Sequence, residues 1–270
     1  MDACLLKNIS LEKVCWRITR NCNLSCPYCL AGYGNVYHRD LYFDEVVRIL
    51  DILKAEGTSY ITFTGGEPLL RHDFKNILEE ASQRLFKIAV TTNGVLLSDD
   101  MIDVFLDTLY KVKVSLDGTK EIHNKLRHTD TFEYVFKKIL LLIQKGVPVE
   151  INYPLLSENI GCIDEACDLF KDFPFDRINF ILPMYRERMT LNQHLLPTVS
   201  HLAIAKAKIL KIRTRMPFDV AIKNYYSEAY TPPILETDGT LWKSMFVETQ
   251  DRYYGNILSY KLVSEEEGIG

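Results

Sequence analysis

The chain has 270 residues, of which 47% are hydrophobic and 25% are charged, and its formal net charge is -4. This length suits one large α/β domain or two small ones, and the ordinary composition excludes a disordered or fibrous chain. The small negative charge argues against a broad surface for nucleic acid. The sequence shows neither a signal-peptide pattern nor an apolar run of about 18 residues, so we expect a cytoplasmic protein without a membrane partner.

Strand and helix patterns alternate from Lys13 onward. Strands are predicted at 14–19, 60–65, 87–92, 111–116, 149–154 and 177–183, and helices at 43–56, 72–84, 98–107, 131–145 and 160–171. This alternation is typical of a parallel sheet with crossover helices. Six repeats are too few to close an eight-stranded barrel. The predicted fold class is therefore α/β, a partial (β/α)6 TIM-type barrel.

The pattern changes after Pro183. A long helix is predicted at 197–214 and a strand at 217–223, and Asp238-Gly239 between β-like runs indicates a hairpin. We therefore predict three regions: an N-terminal segment over 1–12, the barrel core over 13–184, and a short α+β C-terminal extension over 185–270.

Polar and glycine-rich motifs follow four of the predicted strands. They are CNLSCPYC (22–29), GGEPLL (65–70), TNG (92–94) and SLDG (115–118). Each of the last three, taken alone, could be an ordinary turn. The carboxyl ends of parallel strands meet at one rim, where α/β folds bind ligands. Because all four motifs follow strands at these ends, the sequence predicts a ligand site at that rim.

Three cysteines, Cys22, Cys26 and Cys29, lie within eight positions. With seven cysteines in all, metal chemistry in a reducing compartment is a better interpretation than a disulfide framework. Three thiolates at this spacing could ligate three corners of an iron–sulfur cubane and leave one iron open to another ligand. A zinc site completed by a distant residue is the alternative, although zinc favours paired Cys-x-x-Cys elements and the second pair is absent.

The cysteine string has an aromatic residue, Tyr28, directly before its last cysteine, and GGEP, TNG and SLDG follow it in order. This pattern resembles the radical S-adenosylmethionine (radical SAM) superfamily over about residues 13–184. It is most similar to the branch that contains the molybdenum-cofactor cyclase and the modifying enzymes with SPASM or twitch tails. The tail differs from that branch, because no cysteine for an auxiliary cluster follows Cys167.

The resemblance implies two cofactors and the residues that bind them. One four-iron four-sulfur cluster would be ligated by Cys22, Cys26 and Cys29. S-adenosylmethionine would bind the open iron and contact residues at the strand ends: Tyr28 at the adenine, Gly65, Gly66 and Glu67 at the amino group, Ser115 and Asn152 at the ribose or carboxylate, and the backbone at Ile181 at the adenine.

The resemblance also implies the reaction. An electron donor such as flavodoxin or ferredoxin reduces the cluster, S-adenosylmethionine is cleaved, and the 5'-deoxyadenosyl radical abstracts hydrogen from a substrate carbon. Cys15 on the first strand is a candidate hydrogen donor. Three arginines, Arg127, Arg186 and Arg188, are candidates to hold an anionic substrate at the barrel mouth, although surface arginines are more common.

Without auxiliary-cluster cysteines, a redox-neutral outcome such as epimerisation, rearrangement or elimination is expected. The short segment before the first strand favours a small polar substrate, such as a sugar, a nucleoside or a related natural-product intermediate. Two alternatives stay open at this point: a peptide-modifying radical SAM enzyme, and a non-catalytic iron–sulfur or zinc sensor module.

Overall fold

The computed structural model describes residues 9–30, 39–224, 232–243 and 252–259. Six strands form the core of its sheet, and they run parallel in chain order. They are β1 Lys13–Thr19, β2 Tyr60–Gly65, β3 Lys87–Thr92, β4 Lys111–Ser115, β5 Val149–Pro154 and β6 Arg177–Ile181. The six predicted strands are confirmed, each within two residues at either end.

Seven α-helices accompany the strands in the described part of the chain. They are α1 Phe43–Ala55, α2 Phe74–Gln83, α3 Asp99–Thr108, α4 Lys120–Arg127, α5 Phe132–Gln144, α6 Ile163–Asp168 and α7 Val199–Arg215. The prediction omitted α4, which is only eight residues long and mostly polar. It also made α6 too long, because 160–162 form a 3₁₀ turn and the helix ends at Asp168.

The C-terminal extension adds strands to both edges of this sheet. They are β7 Asp219–Lys223, β8 Ile234–Leu235, β9 Thr240–Lys243 and β10 Arg252–Asn256. The sheet order is β10-β9-β8-β1-β2-β3-β4-β5-β6-β7, with β7 parallel to β6 and β8 parallel to β1. The predicted hairpin at Asp238-Gly239 is confirmed, since β8 and β9 pair antiparallel on either side of it.

The predicted division at 12/13 and 184/185 stays a prediction. Parts of its outer regions, 1–8, 225–231, 244–251 and 260–270, lie outside the described residues. Among the described helices, none is long and apolar enough to cross a membrane.

The two faces of the sheet differ in chemistry. Along β1, Val14, Trp16 and Ile18 are buried in the hydrophobic core that the helices share, whereas Cys15 and Arg17 point to the opposite face. Successive side chains of a strand alternate between the two faces of a sheet. On β4 to β7, as on β1, one set of side chains therefore lies in the core and the alternate set lies on the opposite face. We call this second face the inner face. On it the core strands present mainly polar and charged side chains, which makes it suited to binding a polar ligand.

Two glycines let the segment after β2 approach the loop after β1. The amide of Gly66 donates to the carbonyl of Thr19 at 2.8 Å, and the amide of Glu67 donates to the carbonyl of Asn21 at 2.7 Å. A Cβ atom on Gly66 would lie 2.1 Å from the Asn21 carbonyl oxygen, and Gly65 has a φ of +130°. These glycines are therefore required for contact within the chain itself.

We predict that Gly66→Ala lowers the free energy of unfolding by about 1–3 kcal/mol, because the added methyl group displaces the Asn21 backbone. Urea denaturation measures the change. Gly161→Ala is the matched control, since its Cβ would meet nothing within 4 Å. Equal effects of the two substitutions would contradict the prediction.

Candidate functional site

The three motif cysteines lie in the loop that follows β1. The amide of Cys29 donates to the carbonyl of Cys26 at 3.2 Å, and the amide of Leu24 donates to the Cys22 sulfur at 3.4 Å. All three thiols are free and half-buried. Cys26 and Cys29 are thus joined by one short hydrogen-bonded turn of this loop.

The electrostatics of the loop suit a ligand that brings positive charge. Burial raises the pKa of the Cys22 thiol to about 11, and negative charge on Cys26 and Cys29 contributes to the rise. Burial also raises the pKa of Cys26. A bound metal cluster stabilises thiolates and so offsets this cost.

The chemistry of the donor set also bears on which metal site fits. In the part of the chain that the structure describes, no three His, Cys, Asp or Glu side chains are arranged to hold a single metal ion. Three soft thiolate donors fit an iron–sulfur cluster, whose irons lie at separate corners. Ligation of such a cluster by Cys22, Cys26 and Cys29 stays a prediction, which their spacing and their chemistry support.

A buried ion pair connects this loop to the end of β4. The Arg127 guanidinium donates to both carboxylate oxygens of Asp117, at 2.7 and 2.9 Å, and the Tyr28 hydroxyl donates to the same carboxylate. Burial alone would raise the pKa of Asp117, but the Arg127 charge holds it below its usual range. The Tyr28 ring packs on a small apolar cluster that includes Leu156 and Met189. Tyr28 thus fixes the cysteine loop against the SLDG motif.

Two further buried side chains position Asp117. The Asn159 amide donates to the Asp117 carbonyl at 3.0 Å, and the Asp117 amide donates to Nδ1 of His123 at 3.3 Å. Burial lowers the pKa of His123 to about 4, so the ring is neutral and can accept this hydrogen bond. The sequence interpretation did not select either residue, because neither belongs to a motif and Asn159 is 42 residues away from Asp117 along the chain.

A second contact to the cysteine loop comes from the turn after β6. The Arg188 guanidinium donates to the Ser25 hydroxyl at 2.7 Å, and the Asn192 amide donates to the Pro27 carbonyl at 3.0 Å. No sequence signal indicated Asn192, which lies 165 residues from Pro27.

The structure changes the interpretation of the three candidate arginines. Arg127 is 5% exposed and pairs with Asp117, so it positions the site and does not extend into the barrel mouth as expected. Arg188 contacts the cysteine loop. For Arg186 the backbone amide donates to the Met184 carbonyl at 2.9 Å. Binding of a substrate by Arg186 or Arg188 stays a prediction.

Glu67 connects the GGEP motif to the TNG motif. Its fully buried carboxylate accepts hydrogen bonds from the Thr92 hydroxyl and the Asn93 amide, both at 2.7 Å, and from the Leu69 amide at 3.2 Å. Burial raises its pKa to about 6 despite these donors. The carboxylate faces the fold, so the predicted contact between this segment and an ammonium group would fall to the backbone at Gly65, Gly66 and Glu67.

Asn93 completes the junction of the motifs. Its amide donates to the Asn23 side chain at 2.8 Å and lies 4.0 Å from the Cys22 sulfur. The expectation that the motifs meet at one rim is therefore confirmed by direct hydrogen bonds: the cysteine loop contacts GGEP, TNG and SLDG.

The remaining predicted residues lie on β4, β5, β6 and β1. Ser115 and Asn152 are register partners, and the Asn152 side chain accepts from the Asn179 amide at 3.2 Å. The Ile181 carbonyl accepts from the Leu155 amide at 2.8 Å. Cofactor contacts of Ser115, Asn152 and Ile181 stay predictions. Cys15 is half-buried on the inner face, and burial raises its pKa, so it is a thiol at neutral pH.

Comparison with curated proteins gives relatives with several different activities. The chain is 29% identical over 178 residues to the Fe-coproporphyrin III synthase of Methanosarcina barkeri, a match that covers 65% of this chain and 45% of that protein. It is 31% identical over 172 residues to a GTP 3',8-cyclase of Clostridium botulinum, covering 61% and 54%. It is 29% identical over 157 residues to the mycofactocin maturase MftC of Mycobacterium tuberculosis, covering 57% and 40%. Each match thus spans about half of the relative.

Solved structures share the fold. Streptococcus suis SuiB bound to S-adenosylmethionine superposes with a TM-score of 0.77 at 17% identity, covering 94% of this chain and 65% of SuiB. Native anSMEcpe with bound AdoMet superposes with a TM-score of 0.73 at 20% identity, covering 92% of this chain and 78% of anSMEcpe. The mixed α/β fold with its partial TIM-type barrel is therefore the fold of these proteins.

The model of the radical SAM superfamily matches residues 16–184, which include the cysteine loop and all four motifs. This match agrees with the geometry, in which the same motifs meet at the carboxyl ends of the strands. The chain therefore belongs to the radical SAM superfamily.

Proposed function

We propose that the protein binds a cluster through Cys22, Cys26 and Cys29, binds S-adenosylmethionine beside it, and abstracts hydrogen from a carbon of a small polar substrate. The superfamily uses a four-iron four-sulfur cluster and S-adenosylmethionine. The observation that supports the proposal is the hydrogen-bonded junction of the cysteine loop with GGEP, TNG and SLDG.

When bound, the cluster and S-adenosylmethionine supply reductive cleavage to a 5'-deoxyadenosyl radical. The chain itself holds the cysteine loop and the strand ends in position. Tyr28 and Arg188 hold the cysteine loop, and Glu67 holds the strand ends of β2 and β3 together. Such preorganised contacts keep reacting groups aligned at little entropic cost. The electron would come from a donor such as flavodoxin or ferredoxin.

The inner face supports a small polar substrate, such as a sugar, a nucleoside or a related natural-product intermediate. Glu150, Asn152 and Asn179 form a hydrogen-bonded polar patch there. Cys15 on the same face is a protonated thiol and can give the hydrogen atom of its S–H bond to a substrate radical. The thiyl radical left on Cys15 would regain an electron from the same flavodoxin- or ferredoxin-type donor and a proton from solvent. Return of hydrogen makes a redox-neutral outcome, such as epimerisation, rearrangement or elimination, the favoured reaction.

A peptide substrate is the second candidate. It is favoured by the similarity to the mycofactocin maturase and by the fold shared with SuiB, which has been crystallised with its precursor peptide SuiA. Product analysis with peptide and small-molecule pools separates the two candidates. A non-catalytic sensor module, of either the iron–sulfur or the zinc kind, would form no product from either pool.

Anaerobic reconstitution with iron and sulfide should give about four irons per chain and an absorbance band at about 400 nm. Addition of a reductant and S-adenosylmethionine should then yield 5'-deoxyadenosine. Replacement of Cys22, Cys26 and Cys29 by Ala should abolish both results, whereas Cys162→Ala, outside the loop, should retain them. A colourless zinc protein would show the proposal to be wrong.

Tyr28→Phe should lower the iron content and speed the loss of the cluster, because it removes the hydrogen bond between the cysteine loop and Asp117. The expected loss of stability is about 1–3 kcal/mol, since a buried carboxylate oxygen loses a donor. The matched control is Tyr134→Phe, which removes a hydroxyl bonded to the Leu97 carbonyl at 3.0 Å, away from the loop. Iron assays over time measure the effect, and the same decay in both variants would refute it.

Cys15→Ala and Cys15→Ser should both retain cleavage of S-adenosylmethionine and lose product, because neither side chain is an effective hydrogen-atom donor. Chromatography of 5'-deoxyadenosine and product from one reaction gives both quantities. Unchanged product formation would eliminate Cys15 as the donor.

A further inference from the structure

The inner face of β4, β5 and β7 carries more positive than negative charge. Three lysines, Lys111, Lys113 and Lys223, influence one buried carboxylate, Glu150. Lys111 forms an ion pair with one Glu150 oxygen, and the Asn179 amide donates to the other at 2.9 Å. Glu150 is therefore occupied by partners other than Lys113 and Lys223.

Lys113 differs from Lys111, which has Glu150 as its carboxylate partner. Within the described ranges Lys113 makes no ion pair or hydrogen bond through its ammonium group, and the nearby charges include two further lysines. Burial and repulsion from Lys111 and Lys223 lower its pKa, partly opposed by Glu150. Lys113 is half-buried, and a partly desolvated cation without a carboxylate partner is stabilised by an anion beside it.

Other cations on this face do have a carboxylate partner. The Arg17 guanidinium donates to Glu236 at 2.7 Å, and the Arg177 guanidinium donates to Asp219 at 2.6 Å. The surplus of positive charge on this face is thus local to Lys113 and Lys223.

A second observation comes from Asn179. This residue is 2% exposed, and its Oδ1 atom has no hydrogen-bond partner among the described residues, although its Nδ2 atom donates to Glu150 and Asn152. Buried polar atoms are almost always paired, so a lone acceptor indicates a missing donor. A hydroxyl or N–H group of a ligand would supply it.

The position of Lys113 relates this site to the proposed chemistry. Lys113 lies two residues before Ser115 on the same face of β4, roughly 7 Å below the rim. Its charge also acts on Cys15. Cys15 is level with Lys111 through the register of β1 to β4, two residues further from the rim than Lys113. A ligand bound at Lys113 would therefore lie nearer the rim than the Cys15 thiol.

We propose that Lys113, assisted by Lys223, binds an anionic group of the substrate, a phosphate or a carboxylate, and that a hydroxyl or N–H group of the same molecule donates to Oδ1 of Asn179. The identification of this ligand as the substrate rests on the proposed function. The anion site itself can be measured without any cofactor.

Isothermal titration of the full chain with inorganic phosphate, and separately with succinate, tests the site. We expect one of the two anions to bind, and Lys113→Gln to weaken that binding at least about ten-fold, since a charge-assisted hydrogen bond is lost. Binding of phosphate alone assigns a phosphorylated substrate, and binding of succinate alone assigns a carboxylic acid. The control is Lys87→Gln, which removes an exposed lysine at the start of β3 and should leave the affinity unchanged.

Thermal unfolding separates binding from folding. Lys113→Gln should melt at or above the temperature of the unmodified chain, because it removes an uncompensated charge, and Lys113→Arg should restore anion binding. Failure of both anions to bind the unmodified chain, or unchanged affinity in Lys113→Gln, would overturn the inference. Failure of the proposed function is a different result, namely no 5'-deoxyadenosine after reconstitution.

Discussion

The buried ion pair between Asp117 and Arg127 is the interaction on which the site depends. Asp117 is fully buried and accepts three hydrogen bonds, two from Arg127 and one from Tyr28. Removal of either charge would leave the other desolvated, at a cost of about 3–5 kcal/mol. Because Tyr28 lies between two of the motif cysteines, the geometry of the cysteine loop follows from this pair. A local motif is thus held in place by a residue on α4.

The other motifs are also held in place by hydrogen bonds and close contacts within the chain. Glu67 satisfies donors of TNG, and the glycines before it allow close contact with the loop after β1. Each motif therefore has a structural role inside the chain. Substitution of Asn93 or Asp117 would remove a direct side-chain contact with the cysteine loop, whether or not the replaced side chain meets a cofactor.

The sequence was sufficient for the strands and for the convergence of the motifs, because strand periodicity and chain order determine which ends share a rim. The sequence did not indicate which groups the side chains of Glu67 and Arg127 would face. Glu67 lies in the expected GGEP turn, but its carboxylate faces the TNG segment, and Arg127, expected at the barrel mouth, pairs with Asp117. Helix α4 was missed because eight mostly polar residues show little apolar periodicity. Asn159 and Asn192 act across long separations that no local pattern records.

The division between rim and inner face explains why relatives of this chain can differ so much in activity. The rim motifs are occupied with the cysteine loop, and proteins as different as a GTP cyclase and a peptide maturase resemble the chain over this region. Selection of a substrate must therefore depend on side chains that the motifs leave free. On the inner face the residues we propose for this role are Cys15 as a hydrogen-atom donor, Lys113 as a cation and the Oδ1 atom of Asn179 as a hydrogen-bond acceptor. Under these proposals the substrate is both anionic and hydrogen-bonding, which is a narrower requirement than membership of the superfamily sets.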